Sequence, residues 1–244
     1  MRSVFRILLL LGLSLLLVSV LCAQQKSVSF RSFIIDDFDD PEKELKWIVR
    51  GSRAIAEGFP HIGYVESWPE ALHGFNREKK KLKVLGVEAA FTQRGYNYLE
   101  IIPAKKADGG KLVPSTYGLP LTTRSIDMWI WGLNYHYTVE VHVRDPRGLV
   151  HVLYVGKTDF YGWKNMSAII PGAIRRINMR DLLNTKGLEL MKIVIWTRPM
   201  ETSRNFFIYF DDIKAVTDGY KPVIDGGELA DPDIRKDLWD QATQ

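Results

Sequence analysis

The chain has 244 residues, 46% hydrophobic and 11% aromatic, which is enough to fill a sizeable core and excludes wholesale disorder. Its formal net charge of +4 is too mild to argue for nucleic acid as a partner. A single cysteine, Cys22, excludes a disulfide framework and thiolate metal sites.

Residues 1–23 read as an export signal. Arg2 and Arg6 give a positive start, the run 7–21 is apolar, and Cys22-Ala23 precedes the polar Gln24-Gln25. A membrane anchor needs about 20 apolar residues, and this run is shorter. Export, cleavage after Ala23 and no stable membrane insertion afterwards are expected. Lipid attachment at Cys22 is the alternative, and Leu21 is a poor residue just before such a cysteine. Residues 24–217 are expected to form one β domain and 218–244 an arm.

Beyond the signal, the strand candidates in chain order are 47–50, 62–68, 84–92, 96–103, 125–131, 135–144, 149–155, 166–170, 190–198 and 206–216. The clearest is 135–144, whose odd positions are aromatic or β-branched and whose even positions are polar. Asp145-Pro146-Arg147-Gly148 reads as the turn that returns it to 149–155. If that turn pairs Arg144 with Leu149, then His142 faces His151 beside Glu140, a zinc-capable trio. A bulge at Gly148 would dissolve it. Helical signal is sparse: a short turn at 178–183, and Asp231-Pro232-Asp233 capping a helix to Gln241. Many strands without alternating helices predict an all-β, antiparallel sandwich of jelly-roll type, with short helical turns and a C-terminal arm.

Two segments bracket the domain: Ile35-Asp36-Asp37-Phe38 near the start and Tyr209-Phe210-Asp211-Asp212-Ile213 near the end. An Asp-Asp-Phe opening strand with an Asp-Asp-Ile closing strand resembles the galactose-binding-like jelly rolls of carbohydrate-binding modules. Between them lie Ser125-Ile126-Asp127-Met128-Trp129-Ile130-Trp131-Gly132, Leu153-Tyr154-Val155-Gly156 and Asp159-Phe160-Tyr161-Gly162-Trp163-Lys164. In that order, behind a signal, they resemble the spirochaete flagellar filament outer-layer (sheath) proteins over roughly 35–216. The resemblance implies a non-catalytic periplasmic subunit that supports motility by coating the flagellin core and touching other sheath subunits. It also brings Asp36, Asp37, Asp211 and Asp212 together, where related modules hold a structural Ca²⁺.

Three further features bear on function. Trp129 and Trp131 share one strand face, while Ile126, Met128 and Ile130 share the other. If the aliphatic face is core, the indoles are buried under a second layer, packed on a partner protein, or a stacking platform for sugar rings. The last would make this a secreted carbohydrate-binding module. Charge is also uneven. Residues 77–83 hold five bases, among them Lys79, Lys80 and Lys81, against one acid, whereas 218–244 hold seven acids against three bases. That arm puts Ile234, Leu238 and Trp239 on one helical side, so a basic loop and an acidic arm could meet head to tail. Finally, no Gly-x-Ser-x-Gly, His-Glu-x-x-His or Walker sequence is present. Glu66, Glu88, Glu100, Asp127 and Glu140 fall on predicted strands, but no spacing selects a glycosidase pair.

Overall fold

The computed structural model describes residues 30–40, 42–74, 81–107, 109–174, 187–201, 204, 206–218, 236, 239 and 240. The expected signal at 1–23, the helical turn at 178–183, Lys79, Lys80, Ile234 and Leu238 lie outside them. In chain order the elements are β1 (Phe30–Asp36), β2 (Leu45–Gly51), β3 (His61–Glu66), a one-turn α1 (Glu70–His73), β4 (Lys83–Ala89), β5 (Tyr98–Lys106) and β6 (Leu112–Pro114). They continue with β7 (Tyr117–Gly118), β8 (Thr123–Leu133), β9 (Thr138–Arg144), β10 (Val150–Lys157), β11 (Tyr161–Ile169), β12 (Glu189–Trp196) and β13 (Phe206–Asp218).

These strands form the expected antiparallel jelly-roll sandwich. One sheet runs β11-β8-β13-β4-β3, with β1 also on β13, and the other runs β10-β9-β12-β5-β2, with β6 on β5 and β7 on β12. The first and last strands pair, Phe30 opposite Asp218 and Asp36 opposite Ile213.

Period-two patterning decides which side chains meet between the sheets. From one sheet come Leu85, Val87, Ile126, Met128, Ile130, Ile208 and Phe210; from the other come Leu99, Ile101, Val139, Val141, Ile193 and Ile195, all buried. Burying each such side chain contributes about 1.5–3 kcal/mol. Aromatic rings extend this core past the strand ends: Tyr137 and Phe206 lie 4.6 Å apart by ring centroids, with Tyr135 edge-on to Phe206.

The β9–β10 hairpin forms where expected, but one residue out of the expected register. Arg144 pairs with Val150 and His142 with Val152, so His151 lies opposite Val143. The cause is the loop: Gly148 takes φ +88°, and the Asp145 amide donates to the Leu149 carbonyl at 2.8 Å. That is the bulge that dissolves the His142–His151 pair. Leu153 and Val155 turn inward, while Val150, Val152 and Tyr154 turn out to solvent.

Asp145 locks the loop. Its side chain is fully buried and accepts from the Arg147 and Leu149 amides, the Arg147 guanidinium and His151 Nε2. Burial alone would raise its pKa, but the bonds from His151, the Leu149 and Arg147 amides and Arg147 outweigh it and hold the carboxyl at about 2. A depressed carboxyl stabilises the fold above its unfolded pKa and loses that contribution as pH falls through the folded value. We therefore expect Asp145→Asn to cost about 1–2 kcal/mol at pH 7, allowing for solvent screening at the turn. In urea melts the gap between parent and variant should close between pH 4 and pH 2; a gap of constant size would show that the carboxylate charge is not what the loop uses.

Candidate functional site

The outer face of the β11-β8-β13-β4-β3 sheet carries the most distinctive surface. The aliphatic residues of β8, Ile126, Met128 and Ile130, are completely buried, so strand parity turns Asp127, Trp129 and Trp131 outward. Both indoles are half-buried there. Trp131 pairs with Trp163 of β11 on one side and Tyr209 of β13 on the other. Its ring stacks on Phe207 at 5.8 Å and 18° and meets Tyr209 edge-on at 5.6 Å. Trp129 lies between Asn165 and Asp211, and its Nε1 is enclosed without a hydrogen-bond partner among the described residues. Asp127 accepts from Ser125 and Ser167 at 2.8 and 2.7 Å, which fixes the polar end of the face.

Beyond Tyr209 the aromatic band drops into a groove of about 400 Å³. Its floor is a cross-strand glycine pair, Gly86 of β4 opposite Gly63 of β3. Its walls are Phe207, Tyr209 and Val65, with His61 and Glu88 at one end. Tyr209 leans over Gly86: a Cβ there would meet the ring at 3.0 Å. A Cβ on Gly63 would meet nothing within 4 Å, so that side stands open.

Trp163, Phe207, Tyr209 and both glycines are not among the site residues expected from the sequence. The parity that assigns Ile208 and Phe210 to the core also turns Phe207 and Tyr209 outward, and a glycine inside a strand marks close approach. Those two signals would have found the groove.

The four aspartates are brought near one another, yet they do different jobs. Asp36 is buried and accepts from Trp47 Nε1 (2.8 Å), the Tyr117 hydroxyl (2.8 Å), the Phe38 amide (2.9 Å) and Lys43 Nζ (3.2 Å). Burial and then the Asp36 charge push the Tyr117 phenol up, so it remains a donor. Lys43 also bridges to Asp37. Asp211 is buried on β13 and accepts from the Asp212 amide at 2.8 Å. Burial first, then the neighbouring charges of Asp212, Asp39 and Asp37, push it up to about 8. A lysine ammonium thus already supplies the positive charge beside Asp36 and Asp37. Among the described residues, no group of three or more His, Cys, Asp or Glu side chains could hold a metal ion.

Inward of the apolar β10 edge, the opposite sheet presents a polar outer face. Cross-strand pairs line it: Arg144 with Glu189 at 2.6 Å and Lys192 with Glu100 at 2.5 Å. Trp196 Nε1 donates to Glu140 at 2.9 Å, and His142 Nε2 lies 3.5 Å from the same carboxylate. Burial holds the His142 imidazole below its ordinary value, against the pull of Glu140. Glu100, Glu140 and Asp127, three of the strand carboxylates considered for hydrolysis, are thus engaged with neighbours. Elsewhere Lys81 is exposed, Lys83 opens β4 and pairs with Glu66 across the strands, and Trp239 is 67% exposed within a helical stretch.

Residues 31–225 match the model of a family described as flagellar filament outer layer protein, FlaA. A flagellar filament outer layer-like protein of Brachyspira hyodysenteriae is 26% identical over 189 residues, covering 78% of this chain and 80% of that protein. Among solved structures, the family 11 carbohydrate-binding module of the Clostridium thermocellum cellulase Lic26A-Cel5E covers 79% of this chain and 96% of its own, at 13% identity and a TM-score of 0.38. The module TmCBM61, solved with β-1,4-galactotriose, covers 76% of this chain and 99% of its own, at 14% identity and a TM-score of 0.40.

Proposed function

Because the chain belongs to the flagellar filament outer layer protein family, we propose that it is a non-catalytic sheath subunit. In this reading it is exported, loses residues 1–23, and coats the flagellin core of a periplasmic filament alongside other sheath subunits. The observation that supports a coating role is the aromatic band Trp163–Trp131–Phe207–Tyr209 on an outer sheet face. Half-buried rings on the outside of a sandwich add nothing to its core and suit burial against a partner. An aromatic-rich contact with a polar rim gives affinity through a few anchors, and Trp131, stacked on Phe207 and edge-on to Tyr209, is the best placed of them.

A carbohydrate-binding module built on Trp129 and Trp131 is the second reading. The enclosed Trp129 Nε1 argues against Trp129 as an open platform, since a stacking ring must present its face. Co-sedimentation of residues 24–244 with purified flagellin filaments tests the first reading. Saturable pelleting is expected. Failure to pellet at both moderate and high salt, with saturable tryptophan quenching by a glycan, would transfer the assignment to the second.

A further inference from the structure

Resting on the sheath reading, we propose that the groove over Gly63 and Gly86 is the seat for the C-terminal arm of a second copy of this chain, with Trp239 as the inserted side chain. The first argument is where the arm begins. The groove walls, Phe207 and Tyr209, stand near the start of β13, and the arm leaves from its end at Asp218. Asp218 stands nine residue steps beyond Tyr209 on β13, about 30 Å along the sheet. The arm therefore departs from the end of the domain opposite its own groove, with 26 residues still to come. In a head-to-tail row of copies, that end of one domain would face the groove of the next. Reaching its own groove requires doubling back along the sheet.

The second argument is chemical fit. The open side at Gly63 offers a floor without side chains, bounded by an aromatic ring and Val65. A flat, largely apolar side chain suits that space, and Glu88 at the rim can accept from one N–H. Indole has that shape and that donor. Indole already pairs with carboxylate elsewhere in the chain, Trp47 with Asp36 at 2.8 Å and Trp196 with Glu140 at 2.9 Å. Trp239 is a largely exposed tryptophan on the arm.

The third is charge. The arm holds seven acids against three bases, and the segment that leads into β4, residues 77–83, holds five bases against one acid. The two are opposite in sign and equal in net magnitude, so approach is steered and weakens with salt. A contact that uses different patches on the two copies repeats along a surface wherever its rotation does not close it into a ring or an exchanged pair. That is the geometry a coat requires.

Self-association of residues 24–244, followed by sedimentation equilibrium without flagellin, tests the proposal. The parent should associate with concentration and dissociate with salt. Gly63→Val fills the open side where a Cβ meets nothing, so its fold should hold; Trp239→Ala removes the insert. Each should weaken association at least about tenfold. Mixed together, the two variants should form a discrete heterodimer, because one keeps an intact arm and the other an intact groove. A parent that stays monomeric, a Gly63→Val chain that associates like the parent, or a mixture without heterodimer overturns the proposal. Docking of the arm in its own groove would give the last result. A monomeric parent that still pellets with filaments refutes only the arm, whereas loss of pelleting with self-association intact refutes only the filament role.

Discussion

Asp36→Ala should lower the unfolding free energy by about 3–5 kcal/mol, because it strands a buried indole donor, a half-buried phenol and an ammonium together. Trp47 Nε1 and the Tyr117 hydroxyl both donate to Asp36 Oδ2, and Lys43 contacts Oδ1. The rings they belong to pack on one another, Trp47 on Tyr117 at 5.6 Å and Phe38 on Trp47 at 6.0 Å. One carboxylate thus orients an aromatic cluster that joins β1, β2 and β7. Thermal melts of parent and variant, each with calcium and with a chelator, separate this role from a cation-binding one. Equal losses in both conditions are expected. A loss seen only with calcium would make Asp36 a ligand of a four-aspartate calcium site.

Trp131→Ala should weaken filament binding by at least about tenfold while leaving a folded, cooperative protein. Its neighbour Ile130→Ala should do the reverse, costing about 2–4 kcal/mol of stability while the folded fraction still binds. The pair is informative because the residues are adjacent and point through opposite faces of β8: Ile130 is fully buried and Trp131 half-buried outside. Pelleting with filaments and urea denaturation, run on both variants, would show the two effects separate. Equal loss of stability in both would mean that the indole belongs to the core, and the outer face would no longer be the candidate surface.

The sandwich was legible because most strands bury only one face. In β8 and β9, parity alone assigns Ile126, Met128, Ile130, Val139, Val141 and Val143 inward, and all are fully buried. The same reasoning fails in β10, whose Val150, Val152, Leu153, Tyr154 and Val155 place apolar residues at both parities. With no polar face to read, register depended on a loop, and one extra residue at the Gly148 bulge exchanged the faces. The candidate surface was half legible for a related reason. The two tryptophans of β8 announce themselves, but Tyr209 and Gly63 belong to strands that join them only through long-range pairing, which no local pattern encodes. The aspartates show a further limit. The doubled acids were visible, but Lys43, Trp47 and Tyr117, which give Asp36 its work, come from segments whose sequence carries no mark of the encounter.

The position of β13 has a consequence for the order in which the molecule can be completed. It is the last of the described strands, yet it lies in the middle of its sheet, joining β8 on one side to β4 and β1 on the other. Without residues 206–218 that sheet falls into two separate pairs, β11 with β8 and β4 with β3, and β1 has no neighbour. Closure of the sandwich thus waits for the final segment of the domain and depends on pairings that span nearly its whole length, such as Phe30 with Asp218. A chain lacking residues 206–218 would therefore keep the inner faces of β8 and β4 apart, with their apolar side chains exposed to whatever else can cover them.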